Sequence, residues 1–109
     1  MKLYIGGAYQ GQIELAEREN PGAEIHPDFH ETIRKAVLTG GQDPRAFARA
    51  FIQEHPGAVI AANEVGAGVV PLLAEDRAFR EAVGRALCLI AQEAEQVTRC
   101  GCGIGVRIK

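Results

Sequence analysis

The chain has 109 residues, 47% of them apolar and 24% charged, with a formal charge of −2. That is one ordinary domain, 1–109, with enough apolar material for a core and a size near the lower end for a sheet covered by helices on both faces. No basic run exceeds Arg34-Lys35 and no stretch approaches the roughly 20 apolar residues of a membrane span, so nucleic-acid and membrane-spanning roles are excluded.

Residues 2–6 read as a short buried strand ending in Gly6-Gly7 rather than as a signal peptide. Residues 11–19 read as a helix with Ile13, Leu15 and Ala16 on its apolar side, closed by the turn Asn20-Pro21-Gly22. Ala23 to His26 suits a second short strand. Pro27 suits the first position of a helix that carries Phe29, Ile33, Ala36 and Val37 at helical spacing. Thr39-Gly40-Gly41-Gln42 ends it. Asp43 is a natural N-cap and Pro44 a natural first residue of a third helix, with Phe47, Ala48, Phe51 and Ile52 as its buried face. His55-Pro56-Gly57 stops that helix and leaves His55 facing solvent. Ala58 to Ala62 is a continuous apolar run between turn signals, as in a strand buried on both faces.

The glycine-containing segment Asn63-Glu64-Val65-Gly66-Ala67-Gly68 follows that strand directly, at the end where open α/β sheets bind ligands. The longest helix is predicted from about Glu75 to Gln96, with Phe79, Val83, Ala86, Leu87, Ile90, Ala91 and Ala94 as its stripe and Cys88 as a small core residue. Between Val97 and Lys109, the alternation of Ile104, Val106 and Ile108 predicts a final, partly exposed strand or hairpin. Strands alternating with helices imply a mainly parallel sheet between helical layers.

Two segments carry chemistry. Gly6-Gly7-Ala8-Tyr9-Gln10-Gly11-Gln12-Ile13 has the two framing glycines of the phosphate-loop template G-x-x-x-x-G-K-[ST], between a strand and a helix. Gln12 stands for the lysine that reaches the β/γ-phosphates, and Ile13 for the hydroxyl that ligates magnesium. Without those groups the motif taken alone is weak, and a plain glycine-rich strand-to-helix turn is the favoured account of the segment. The second segment is Asn63 to Pro71, followed by Phe79-Arg80-Glu81 and Gly84-Arg85. Arg80 and Arg85 have the chemistry for phosphate, although spacing alone favours a solvated helix face paired to Glu81 or Glu75. Glu64, a lone loop carboxylate, is expected to accept hydrogen bonds. His26 and His30, four apart, and the pair Cys100 and Cys102 suggest a zinc site only on paper, since neither spacing is a familiar one, so no metal site is expected. Three cysteines, an odd number, fit a reducing, cytoplasmic setting.

Asn-Glu-Val-Gly-x-Gly-x-Val-Pro, Phe-Arg-Glu-x-x-Gly-Arg and the terminal Gly-Ile-Gly-Val-Arg-Ile-Lys together resemble the adenosylcobinamide kinase/adenosylcobinamide-phosphate guanylyltransferase family of cobalamin biosynthesis. Gly6-Gly7-Ala8 is similar to that family's opening loop. The resemblance implies a three-layer P-loop NTPase-like (RecA-like) α/β fold, here with a reduced sheet. It also implies ATP or GTP with Mg²⁺, a corrinoid acceptor and a homo-oligomer. It maps nucleotide or phosphate binding onto Gly6, Gly7, Ala8, Tyr9, Gln10, Gly11 and Gln12, and a second-half motif onto Asn63, Glu64, Val65, Gly66, Arg80 and Arg85. The family's guanylyl-accepting histidine lies in a basic segment, and neither His26 nor His30 sits in one, so that role is not transferred. Three readings follow. The chain is a kinase or nucleotidyltransferase, a catalytically inactive relative that senses or partners through nucleotide or corrinoid, or a structural oligomer.

Overall fold

In the computed structural model, which describes residues 1–64 and 74–109, Lys2–Gly6 forms β1 at the centre of the sheet. The segment alternates, with Leu3 facing one helical layer and Tyr4 the other, and both are buried. The remaining elements in chain order are α1 (Gln12–Glu19), β2 (Ile25–His26), α2 (Phe29–Arg34), α3 (Pro44–Glu54), β3 (Val59–Asn63), α4 (Ala74–Glu93), β4 (Gln96–Gly101) and β5 (Ile104–Arg107). The sheet order is β2-β3-β1-β4-β5. The first four strands are parallel and β5 runs antiparallel to β4.

This order explains the layers. The chain leaves β1 through α1 toward the β2 edge, then returns across β1 from β3 through α4 to β4. Right-handed crossovers in opposite directions put α1 and α4 on opposite faces. Accordingly Tyr4, Leu15, Ala16, Val59 and Cys100 form a small core beneath α1. Leu3, Phe29, Ile33, Phe51, Ile60, Val83, Ile90 and Val97 belong to the larger core beneath α2, α3 and α4. At about 25 cal/mol per Å² of apolar surface buried, the larger core is where most of the stability resides. The reversal of direction makes the carboxyl ends of β1 and β3 a topological switch point.

Several expected boundaries move for identifiable reasons. β2 is limited to Ile25 and His26, the two residues that pair with Val59 and Ile60. Pro27 does not open α2, because Asp28 intervenes as a left-handed N-cap at φ 51°. After Arg34 the helix widens into a π-helical turn, Lys35–Thr39, before Gly40 ends it. α3 is as expected: the Asp43 side chain accepts from the Ala46 N–H at 3.0 Å, with Pro44 at the first position. α4 stops at Glu93 rather than Gln96, since the Glu95 N–H donates to Met1 O and Gln96 pairs with Lys2 in the sheet. Cys88 is exposed on α4 instead of buried. The end of the chain is the hairpin β4–β5, whose outer strand exposes Ile104 and Val106, with Ile108 exposed just beyond it. No described helix is long and apolar enough to cross a membrane.

Candidate functional site

The register of the three central strands brings Gly6, Asn63 and Cys100 to one level at the carboxyl end of the sheet. Gly6 is required there by packing, because a Cβ would lie 2.6 Å from the Cys100 carbonyl oxygen. The loop from Gly7 to Gly11 leaves this level and enters α1 with Gly11 at φ 87°, a left-handed conformation that suits glycine. No side chain caps α1. The first-turn N–H groups therefore point to the loop without a side-chain acceptor, in the geometry that attracts anions.

Two glutamines hold the loop. Gln12 is 4% exposed, and its amide nitrogen is directed inward. It lies 2.9 Å from Asn63 Oδ1, 3.1 Å from Gly7 O, and 3.3 Å from both Gly6 O and Ala62 O. Four oxygens around one nitrogen fix the orientation of the amide, since the flipped form would set oxygen against oxygen. The Gln12 Oε1 atom is buried without a partner among the described residues. Gln10 braces the other side: its Oε1 accepts from the Cys102 N–H at 2.7 Å and its carbonyl from the Gly103 N–H at 2.9 Å. The loop is thus stitched to β3 on one flank and to the β4–β5 turn on the other.

Asn63 and Glu64 join the same network. The Asn63 N–H donates to His30 Nδ1 at 3.0 Å, which uses His30 as a buried acceptor and separates it from His26. The Glu64 N–H donates to Gly6 O at 2.7 Å, and its carboxylate pairs with the Arg99 guanidinium at 2.6 Å. Arg85 pairs with Glu81 one turn earlier on α4, as the helix-face reading expects, and Arg80 is half-buried on that helix. Val65 and Gly66, with the rest of the motif to Pro71, lie outside the described residues.

A cleft of about 680 Å³ opens beside the loop. Its described lining includes Ala8, Tyr9, Gly11, Gln12, Ile13 and Asn63, with the charged groups Glu14, Arg18 and Asp28, but neither Arg80 nor Arg85. Tyr9 stands fully exposed on the rim. The described non-glycine residues with positive φ are Tyr9, Asp28 and Cys102, at 61°, 51° and 52°. Two of them line the cleft and the third precedes Gly103, which also lines it. Left-handed backbone at such residues costs on the order of 1 kcal/mol or more each and concentrates at ligand sites. Magnesium held in the template's manner does not fit here: Ile13 offers no oxygen and the Glu64 carboxylate is engaged by Arg99.

Two titratable groups behind the loop are shifted. Burial pushes the Tyr4 phenol up, reinforced by the Glu19 carboxylate that accepts its hydrogen bond at 2.8 Å. Burial likewise raises the Cys100 thiol, with the Glu19 charge adding to it.

These features define a mixed α/β protein with a braced glycine turn at the switch point of a mainly parallel sheet. The sequence model of the family described as cobinamide kinase / cobinamide phosphate guanyltransferase matches residues 31–108, well over half of the chain, and the chain belongs to that family. The match takes in Asn63, Glu64, Arg80 and Arg85 but not the loop Gly6–Ile13. No individually curated protein matches the chain.

Missing from the sequence reading are the positions of Gln10 and Gln12 as braces, Arg99 as the partner of Glu64, and Arg18 and Asp28 as cleft residues. An uncharged residue at the lysine position signals an altered loop, but nothing local reveals where its amide goes.

Proposed function

We propose that this chain is a P-loop-type member of its family that binds a nucleotide or corrinoid phosphate at the Gly6–Gln12 loop without transferring a phosphoryl group, as a sensor or partner subunit. The observation that carries this reading is the inward-turned Gln12 amide. At the position where the template aims a cation at phosphate, a neutral group is consumed by Asn63 and the loop's own carbonyls. A missing preorganised charge at developing phosphate charge costs on the order of 3 kcal/mol in the barrier. The uncapped first turn of α1 supplies N–H donors for phosphate, Arg18 supplies a positive charge in the cleft, and exposed Tyr9 offers a ring face for a base or corrinoid. Glu14 and Asp28 in the same cleft disfavour a dense polyphosphate charge.

Calorimetric titration with ATP, GTP and adenosylcobinamide phosphate tests the binding half, and absence of heat and thermal shift at millimolar ligand refutes it. Phosphate transfer to adenosylcobinamide, followed by mass spectrometry, tests the catalytic half, and turnover refutes inactivity. A Gln12→Lys, Ile13→Ser double variant is expected to gain at least about tenfold in nucleotide affinity, through charge-assisted contacts worth about 1.5 kcal/mol or more. No gain would mean that the loop is only a turn. Self-association is part of the reading, supported by the small size and the exposed apolar outer strand, and a monomer in sedimentation at micromolar concentration removes it.

A further inference from the structure

Away from the cleft, at the amino ends of β2 and β3 and on the face covered by α3, three ligand-type side chains converge. Glu24 precedes β2, His26 lies within it and His55 is the C-cap of α3. Glu24 Oε2 sits 2.5 Å from His26 Nε2 and 2.7 Å from His55 Nδ1, and the three ligand atoms all lie within 4.8 Å of one another. His55 was expected to face solvent, yet it is half-buried and stacked on Phe51 with ring centres 4.5 Å apart. His26 meets the same ring edge-on at 4.9 Å. The Glu24 carbonyl is itself anchored by the Val59 N–H at 2.8 Å.

We propose that Glu24, His26 and His55 form a zinc-binding site, with water completing the coordination. Two imidazole nitrogens and one carboxylate oxygen are a donor set that Zn²⁺ takes, whereas Mg²⁺ and Ca²⁺ prefer oxygen shells. Phe51 and the β3 hydrogen bond hold two rings and one backbone carbonyl in place before the ion arrives, so little ordering is required. Ligand atoms around tetrahedral zinc stand about 3.4 Å apart, as bonds of about 2.1 Å dictate. The two carboxylate contacts must therefore open by less than about 1 Å, and the two imidazole nitrogens, no more than 4.8 Å apart, must close by at most about 1.4 Å. Glu24, with half its side chain in solvent, has the room. The exposed side of the carboxylate leaves the remaining position to water. The bound ion would clamp the end of α3 to the short edge strand β2, which pairs with its neighbour through only two residues. It is independent of the phosphate loop and of the function proposed above.

The test uses the full chain without a histidine tag, carrying Cys88→Ser and Cys102→Ser to remove the exposed thiols. After chelator treatment and dialysis, Zn²⁺ is titrated in competition with a chromogenic chelator. One equivalent is expected to bind with submicromolar affinity, and Glu24→Gln, His26→Asn and His55→Asn are each expected to weaken it by at least about tenfold. X-ray absorption at the zinc edge should show imidazole and oxygen scattering without sulfur, a result that stands even if a variant folds poorly. No binding at tens of micromolar zinc, affinity unchanged in Glu24→Gln and His55→Asn, or sulfur in the coordination shell each overturns the proposal.

Discussion

Gln12→Glu replaces the buried amide nitrogen with oxygen at nearly constant volume. In the native protein that nitrogen faces Asn63 Oδ1, Gly7 O, Gly6 O and Ala62 O at 2.9–3.3 Å. Two N–H bonds are lost, each worth about 1 kcal/mol net, and the stranded acceptors add a desolvation cost of about 1–3 kcal/mol. The carboxylate would have to remain charged against four oxygens or take a proton. A loss of about 3 kcal/mol at pH 7 follows, equivalent to about 10–20 °C in Tm for a domain of this size. The pH dependence has a definite sign. Burial and the oxygen surround raise the folded-state pKa of the new carboxyl above its unfolded value of about 4.3. The folded state then binds the proton more tightly, so the variant's stability falls as pH rises above about 4.3 toward the folded-state pKa. The deficit relative to wild type should therefore shrink in acid. Urea denaturation of both proteins at pH 7 and pH 4 measures it, with Gln12→Met as the volume-matched comparison lacking the charge. A Gln12→Glu variant within about 0.5 kcal/mol of wild type at pH 7, with no pH dependence, would refute the inward placement of the amide.

Tyr4→Phe should cost about 1 kcal/mol, because the phenol donates to Glu19 and accepts from Asn20 at 3.0 Å. In a Tyr9→Phe background, the phenolate absorbance of Tyr4 should rise with a midpoint above pH 10, and the stability this group contributes is present below pH 10 and lost as pH climbs through its raised value. A midpoint at or below 10 contradicts its burial. Of the three thiols, exposed Cys88 and Cys102 should react promptly with a disulfide reagent at pH 8, and buried Cys100 only on denaturation. Loss of a fast-reacting thiol in Cys100→Ser would contradict this. Gly6→Ala forces a Cβ to within 2.6 Å of a backbone oxygen that cannot turn aside, and a loss of about 1–3 kcal/mol is expected in urea denaturation. Wild-type stability in that variant would mean that β1 and β4 have slack at their carboxyl ends.

Much of this architecture is visible in the residues themselves. Asp43-Pro44 announces α3 through a cap and a missing N–H, both local effects, and the structure contains that cap. The run Val59 to Ala62 is buried on both faces, as continuous apolarity implies. Boundaries fail where a long-range partner decides. α4 ends at Glu93 because Met1, far away in sequence, claims the Glu95 N–H. Cys88 falls on the wrong side of α4, since a residue type often buried was read without weighing its angle to the stripe of Val83, Ala86 and Ile90. At the site, the loop's position could be read from Gly6 and Gly11, because a close approach and a left-handed backbone leave glycine as the signature. The two braces could not, because Gln10 and Gln12 bond to partners as remote as Cys102 and Asn63. The partner of His55 was hidden for the same reason, since Glu24 lies 31 residues away.

The stitching of the loop bears on selectivity. A loop that has been cross-linked to β3 and to the β4–β5 turn before any ligand arrives has little conformational freedom left to surrender. An anion settling on it meets a lower ordering cost, and modest contacts then suffice for occupancy. The same rigidity forgoes the discrimination that comes from closing around the right molecule and staying open to the wrong one. On the function proposed above, selection at this cleft would rest on the fixed outline of walls that include Tyr9, Glu14, Arg18 and Asp28, rather than on movement of the loop.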